Sequence, residues 1–199
     1  ASYMIEGGSS RSFEHTKTLM YSEPEVWHQL MNRIAIDTAE YLNCQVEAGA
    51  DALQLFDSWV GCLSPTDYER FVLPHMQVLV QNITDTVPLI HFGTGTATLL
   101  PLMRKAGGTV IGIDWRISMA DAWNVVGHDI AVQGNLDPGI LLAPRTVIRE
   151  RVRDLLARAE GRPGHIFNIG HGIVPETPPD NVRALVDAVH EMSARGAAR

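Results

Sequence analysis

The feature that most constrains this chain is a rhythm. From about residue 50 onward, short apolar runs alternate with helix-length segments: "ADALQLFDSW", "VPLIHFG", "TVIGIDW", "IAVQGNL" and "HIFNIG" are each followed by a stretch of helical character. The runs are apolar on both faces and bounded by Gly or Pro, which is the pattern of strands buried on two sides in a parallel sheet. Five such β-then-α units permit two architectures, a doubly wound sheet or an arc of a (β/α)8 barrel.

The intervening segments carry helix punctuation. In "SEPEVWHQLMNRIAIDTAEYLNCQVEAG", Ser22 stands three residues before Glu25, which predicts a capping box with Pro24 in the first turn. Val26, Leu30, Ile34, Tyr41 and Leu42 recur at roughly helical spacing and predict the buried face, and Gly49 suits the stop. In "LSPTDYERFVLPHMQVLVQNI", Ser64 is the expected cap, Pro65 sits just inside, and Pro74 predicts a kink.

Polar residues separate the two architectures. Each predicted strand ends in one or two of them: Asp57 and Ser58, His91, Asp114, Asn135 and Asp137, then Asn168 and His171. Barrel enzymes gather their functional groups at the C-terminal ends of the strands, on one shared rim. No G-x-G-x-x-G follows any strand, and "GTGTAT" at 93–98 is only a weak phosphate-loop candidate. The expected fold class is therefore α/β, a (β/α)8 TIM barrel left incomplete at about five units, with residues 1–199 as a single domain. A full barrel takes about 250 residues and eight strands. The missing three are expected upstream of Ala1, in a longer protein of which this chain is the C-terminal part.

Composition narrows the function classes. Apolar residues at 45% and charged residues at 20% are ordinary for a soluble globular domain. There is no 18-residue apolar run to span a membrane and no basic, apolar leader at the N-terminus. Two cysteines, Cys44 and Cys62, make no disulfide framework and suit a reduced, cytoplasmic setting. A net charge of −7 without a Lys/Arg cluster argues against a nucleic-acid partner.

Five motifs, in order and each at a strand end or the loop after it, carry a resemblance: "YMIEGG", "LQLFDSWVGCLSP", "GIDWR", "VQGNLDP" and "FNIGHGIVPETPP". Together they resemble the uroporphyrinogen decarboxylase family. That resemblance implies a single (β/α)8 barrel, a cytoplasmic homodimer, and chemistry without cofactor or metal. The reaction it implies is removal of the four acetate carboxyls of uroporphyrinogen III, giving coproporphyrinogen III. It also implies an arginine-rich segment and a catalytic aspartate upstream of this chain, so no catalytic residue is assigned here. Tyr3, Ser58 and His171 match the family's substrate-binding positions. Read without the family, Tyr3 could pack on the barrel wall, Ser58 could cap a turn, and His171 could tie down its glycine-rich loop.

The remaining polar residues have plainer readings. Asp57 and Asp114 are expected to bind backbone amides of neighbouring loops; Asn135 and Asp137 read as a turn and helix-cap device before Pro138; Arg116 reads as a loop salt bridge or a carboxylate contact. His165 opens a strand, whereas His15, His28, His75, His128 and His190 fall on helices or their ends and are expected to be solvated or interfacial.

Two rivals compete with the decarboxylase reading. A zinc-dependent corrinoid or coenzyme M methyltransferase on the same barrel would want H-x-C at one strand end and a further Cys at the last. Here His91 is followed by Gly93 in the thiolate's place, "NIGHG" offers no sulfur, and neither Cys44 nor Cys62 completes a set. The second rival is a non-catalytic barrel fragment, whose open sheet edges would make it aggregation-prone and inactive alone.

Overall fold

The structure, a computed structural model, describes residues 1–194. Three helices come first: α1 (Ser2–Glu6), α2 (Glu14–Ser22) and the long α3 (Pro24–Glu47). Then β1 (Leu53–Phe56), α4 (Pro65–Phe71), α5 (Leu73–Gln81), β2 (Leu89–Phe92), α6 (Leu100–Ala106), β3 (Val110–Gly112) and α7 (Met119–Val126) follow. The chain ends with β4 (Ala131–Leu136), α8 (Arg145–Arg158), β5 (His165–Ile169) and α9 (Pro179–Ala194).

All five strands are parallel and lie in chain order, β1-β2-β3-β4-β5. A doubly wound sheet would reverse its strand order at a switch point. A sequential order instead curls one way, with every crossover helix on one side, and that is the arc of a barrel.

The two faces of the arc differ sharply. Toward the helices lies the main core, where Ile111, Val132, Leu100, Trp123 and Ile148 are almost wholly removed from water. The other face, which would be a barrel's interior, leaves Phe56 at 66% and Ile166 at 41% exposure. Register places them together: Phe56 pairs with Phe92, and Ile166 pairs with Gln133.

Several local expectations hold and three do not. Ser64 accepts the Asp67 amide as the cap of α4, and the helix breaks at Val72, two residues before Pro74. Ser22, however, caps nothing. It is the last residue of α2, the chain turns at Glu23, and α3 begins at Pro24 without a side-chain cap. The buried stripe of α3 is Trp27, Ala35, Ala39 and Leu42, while Val26 and Tyr41 are exposed. Small alanines face inward because α3 packs against α5. Finally, His75 is buried rather than solvated, and its Nε2 lies 2.8 Å from His28 Nδ1.

Candidate functional site

The site is assembled from the turns that leave the C-terminal ends of the strands. After β1 the chain is stapled to the end of β2: the Asp57 amide donates to the Phe92 carbonyl at 2.7 Å, and the Thr94 amide donates to the Ser58 carbonyl at 3.3 Å. The Thr94 hydroxyl donates to the same Ser58 carbonyl. Ser58 is thereby fixed by its backbone, and its hydroxyl has no hydrogen-bond partner among the described residues.

After β3, Asp114 organises the rim. Its buried carboxylate accepts the Gly95 amide at 2.6 Å and the Arg116 amide at 3.1 Å, and pairs with the Arg116 guanidinium, which also lies 3.9 Å over the Trp115 ring. Asn135 donates from Nδ2 to the carbonyls of Asp114 and Ile117, at 2.9 and 2.7 Å. Asp137 accepts the Gly139 amide at the start of a short 3-10 turn over Pro138–Leu142, the cap its position before proline suggests. These groups are spent on structure.

Two cavities open on either side of Ser58. One, of ≈380 Å³, lies on the open sheet face and is lined by Ser58, Phe92, Gln133, Asn168 and His171 among others. His171 is exposed there, with its ring 6.5 Å from Phe92 and 6.2 Å from Trp115. The other, of ≈330 Å³, lies between β1 and the N-terminal helices and is lined by Tyr3, Asp57, Ser58, Trp59 and apolar side chains of α3 and α5. Tyr3 accepts a hydrogen bond from Trp59 Nε1 at 2.9 Å, which leaves its own proton available. Ser58 therefore shares a cavity with each of the other two sequence candidates, whereas Tyr3 and His171 do not line the same one.

Gln54 and Gln133 are polar residues that strand-end reasoning passes over. Gln133 Nε2 donates to Gln54 Oε1 at 3.3 Å, joining β4 to β1 across the inner face. The available signal was a glutamine inside each apolar run, "LQLF" and "AVQGNL". Inward amides on non-adjacent strands give the concave face hydrogen-bonding capacity that an aliphatic lining would lack.

Ionisation differs from group to group. Burial pushes the Cys62 thiol up and keeps it from being a ready thiolate. Burial, aided by the charge of His28, lowers His75. Burial lowers His165 too, opposed by its hydrogen bond to the Gly134 carbonyl. Among the described residues, no three His, Cys, Asp or Glu side chains converge as a metal would require.

Comparison with known proteins decides the family. Residues 1–192 match the family model described as uroporphyrinogen decarboxylase (URO-D). The chain belongs to the uroporphyrinogen decarboxylase family. It is 53% identical over 195 residues to the uroporphyrinogen decarboxylase of Carboxydothermus hydrogenoformans, covering 98% of this chain and 56% of that protein. With the protein of the same name from a Roseiflexus species the identity is 54%, covering 98% of this chain and 58% of the relative. The chain thus spans a little over half the length of these curated relatives. Among solved structures it resembles a methyltransferase from Methanosarcina mazei, with a TM-score of 0.80 at 22% identity, over 90% of this chain and 53% of that one. That likeness speaks to the barrel architecture of the uroporphyrinogen decarboxylase family and to nothing finer.

Proposed function

We propose that this chain forms the C-terminal part of a carboxy-lyase that converts uroporphyrinogen III to coproporphyrinogen III by removing its four acetate carboxyls. The support is joint: family membership, and the meeting of Ser58 and His171 on one strand-end cavity. Loss of carbon dioxide from a pyrrole acetate needs an electron sink. Protonation of the adjacent ring carbon supplies it, because the cationic ring accepts the electron pair released with the carboxyl carbon. The exocyclic double bond left behind is then protonated to a methyl group, and loss of the proton first added to the ring carbon restores the neutral pyrrole. Such a site needs a proton source, an acceptor for the pyrrole N–H groups and donors for the many carboxylates.

In this reading the residues at hand bind and orient. The free Ser58 hydroxyl and the His171 imidazole supply donors to substrate carboxylates on the inner face, and Tyr3 offers its phenolic proton from the second cavity. Gln54, Gln133 and Asn168 supply further amide partners. None of them is assigned the decarboxylating proton. The complete protein is proposed to act as a cytoplasmic homodimer on this small-molecule substrate, without nucleic acid or cofactor. No helix among the described residues is long and apolar enough to cross a membrane.

The test is incubation of the full-length protein with uroporphyrinogen III and chromatography of the products. Stepwise loss of four carboxyl groups is expected. His171→Asn should slow turnover by about tenfold or more, or shift which intermediate accumulates, as removal of one hydrogen bond to a charged group does. If His171→Asn and Tyr3→Phe both left rate and intermediates unchanged, the pocket assignment would fail.

A further inference from the structure

Unsatisfied polar atoms are rare in a folded interior, and each one needs a reason. Among the described residues, buried side-chain atoms without a hydrogen-bond partner are Asp57 Oδ2, both ring nitrogens of His91, the Tyr68 hydroxyl and, on the loop after β5, the Thr177 hydroxyl. The first three residues form a group. His91 Nε2 lies 3.8 Å from Asp57 Oδ2, and the Tyr68 phenol feels the Asp57 charge, which together with burial pushes its pKa far up. They come from three elements, the turn after β1, strand β2 and helix α4.

Their chemistry is complementary. A carboxylate accepts only, whereas an imidazole Nε2–H and a phenolic O–H both donate. The separation of 3.8 Å is about 1 Å longer than a hydrogen bond. Asp57 is the one member with room to move, its side chain keeping 26% of its exposure, while His91 and Tyr68 are fully enclosed. A small rotation of the Asp57 carboxylate would close the gap to His91 Nε2, and the Tyr68 phenol, within reach of the same charge, is a second donor for it.

His91 lines neither cavity; it sits behind the strand, opposite Leu55 in the ladder. Asp57, by contrast, is the residue before Ser58 and itself lines the Tyr3 cavity. We propose that His91 is a positioning residue, donating from Nε2–H to Asp57 with Tyr68 as the second donor, and that this clamp fixes the turn that presents Ser58. The inference rests on the reading of Ser58 as a substrate-binding group. His91 touches no substrate; it acts through Asp57.

Two measurements test it. Nitrogen-15 NMR of the protein should show His91 as the Nε2–H form with a hydrogen-bonded proton, and Asp57→Ala should abolish that signature while leaving His171 unchanged. In the full-length protein, His91→Leu should raise KM for uroporphyrinogen III by about tenfold with kcat within about twofold. His91→Gln, which keeps a donor near the same place, should restore KM most of the way. An Nδ1–H tautomer, a His91 signal indifferent to Asp57→Ala, or equal impairment in the Leu and Gln variants would overturn the proposal. The two levels separate through Ser58→Ala. If that substitution raises KM and His91→Leu does not, the clamp alone fails; if Ser58→Ala changes nothing, the substrate-binding reading fails and the clamp's role falls with it.

Discussion

Asp57 and Asp114 occupy equivalent places, one at the end of β1 and one just past β3, and they are treated in opposite ways. Asp114 is buried with both oxygens engaged, by the amides of Gly95 and Arg116 and by the Arg116 guanidinium. Asp57 keeps one oxygen buried and unbonded, next to two donors that are equally unbonded. A carboxylate bonded to backbone amides locks two turns together; one that faces only side-chain donors is set by them. In the β3–β5 half of the rim the turns after β3 and β4 are scaffold; in the β1–β2 half Asp57 and Ser58 keep polar side chains that no backbone bond has used up.

The largest expected effect breaks this comparison if it is wrong. Asp114→Ala strands two backbone donors, and although the half-exposed Arg116 limits the ion-pair share, a loss of about 3 kcal/mol in unfolding free energy is expected by urea titration. Asp57→Ala should cost less than that, because its partly exposed carboxylate holds no backbone amide and only the proposed contacts to His91 and Tyr68 are lost. Equal losses would show that the two carboxylates are not different in kind.

A smaller effect sharpens the same contrast within one loop. A Cβ at Gly170 would stand 2.6 Å from the Trp115 amide nitrogen, backbone against backbone with nothing flexible to yield. Gly170→Ala should therefore destabilise by about 1–3 kcal/mol. Two residues on, a Cβ at Gly172 meets nothing within 4 Å, so Gly172→Ala should change stability by less than about 0.5 kcal/mol. Thermal melts of the pair would show where β5 is wedged against β3 and where the His171 loop runs free.

What the sequence made legible follows from what is local. Alternating runs, Ser64 with Pro65, Pro74 and the polar strand ends are each fixed by neighbours in the chain, and they match the elements, the arc order and the rim. Ser22 failed as a cap because a helix already occupied residues 14–22, a competition that a four-residue motif cannot reveal. The inward face of α3 was misread because its alanines are chosen by close approach to α5 and not by hydrophobicity. The Gln54–Gln133 bond joins non-adjacent strands that only the curl of the sheet brings together, and the Asp57–His91–Tyr68 group joins a turn, the neighbouring strand and a helix. Tyr3, Ser58 and His171 were reachable through family motifs alone, and their division between two cavities was not reachable from those motifs.

The smallest effect concerns two histidines whose pKa burial lowers, one in each half. His75 meets another imidazole, His28, and one ring nitrogen of the pair must be an unprotonated acceptor; His165 meets the Gly134 carbonyl, which accepts from its charged form. Both histidines have their folded pKa lowered by burial, so in each case the unfolded chain binds the proton more readily. Their stabilising contribution is whole above the ordinary histidine value of about 6.5 and is lost as pH falls below it, toward the lower folded value. The melting temperature should accordingly drop between pH 7 and pH 5. His75→Gln should flatten that drop more than His165→Gln, because the charge of His28 adds to burial at His75 while a carbonyl opposes burial at His165. The reverse order would mean that the β3–β5 half, for all its satisfied hydrogen bonds, is the one that acid opens first.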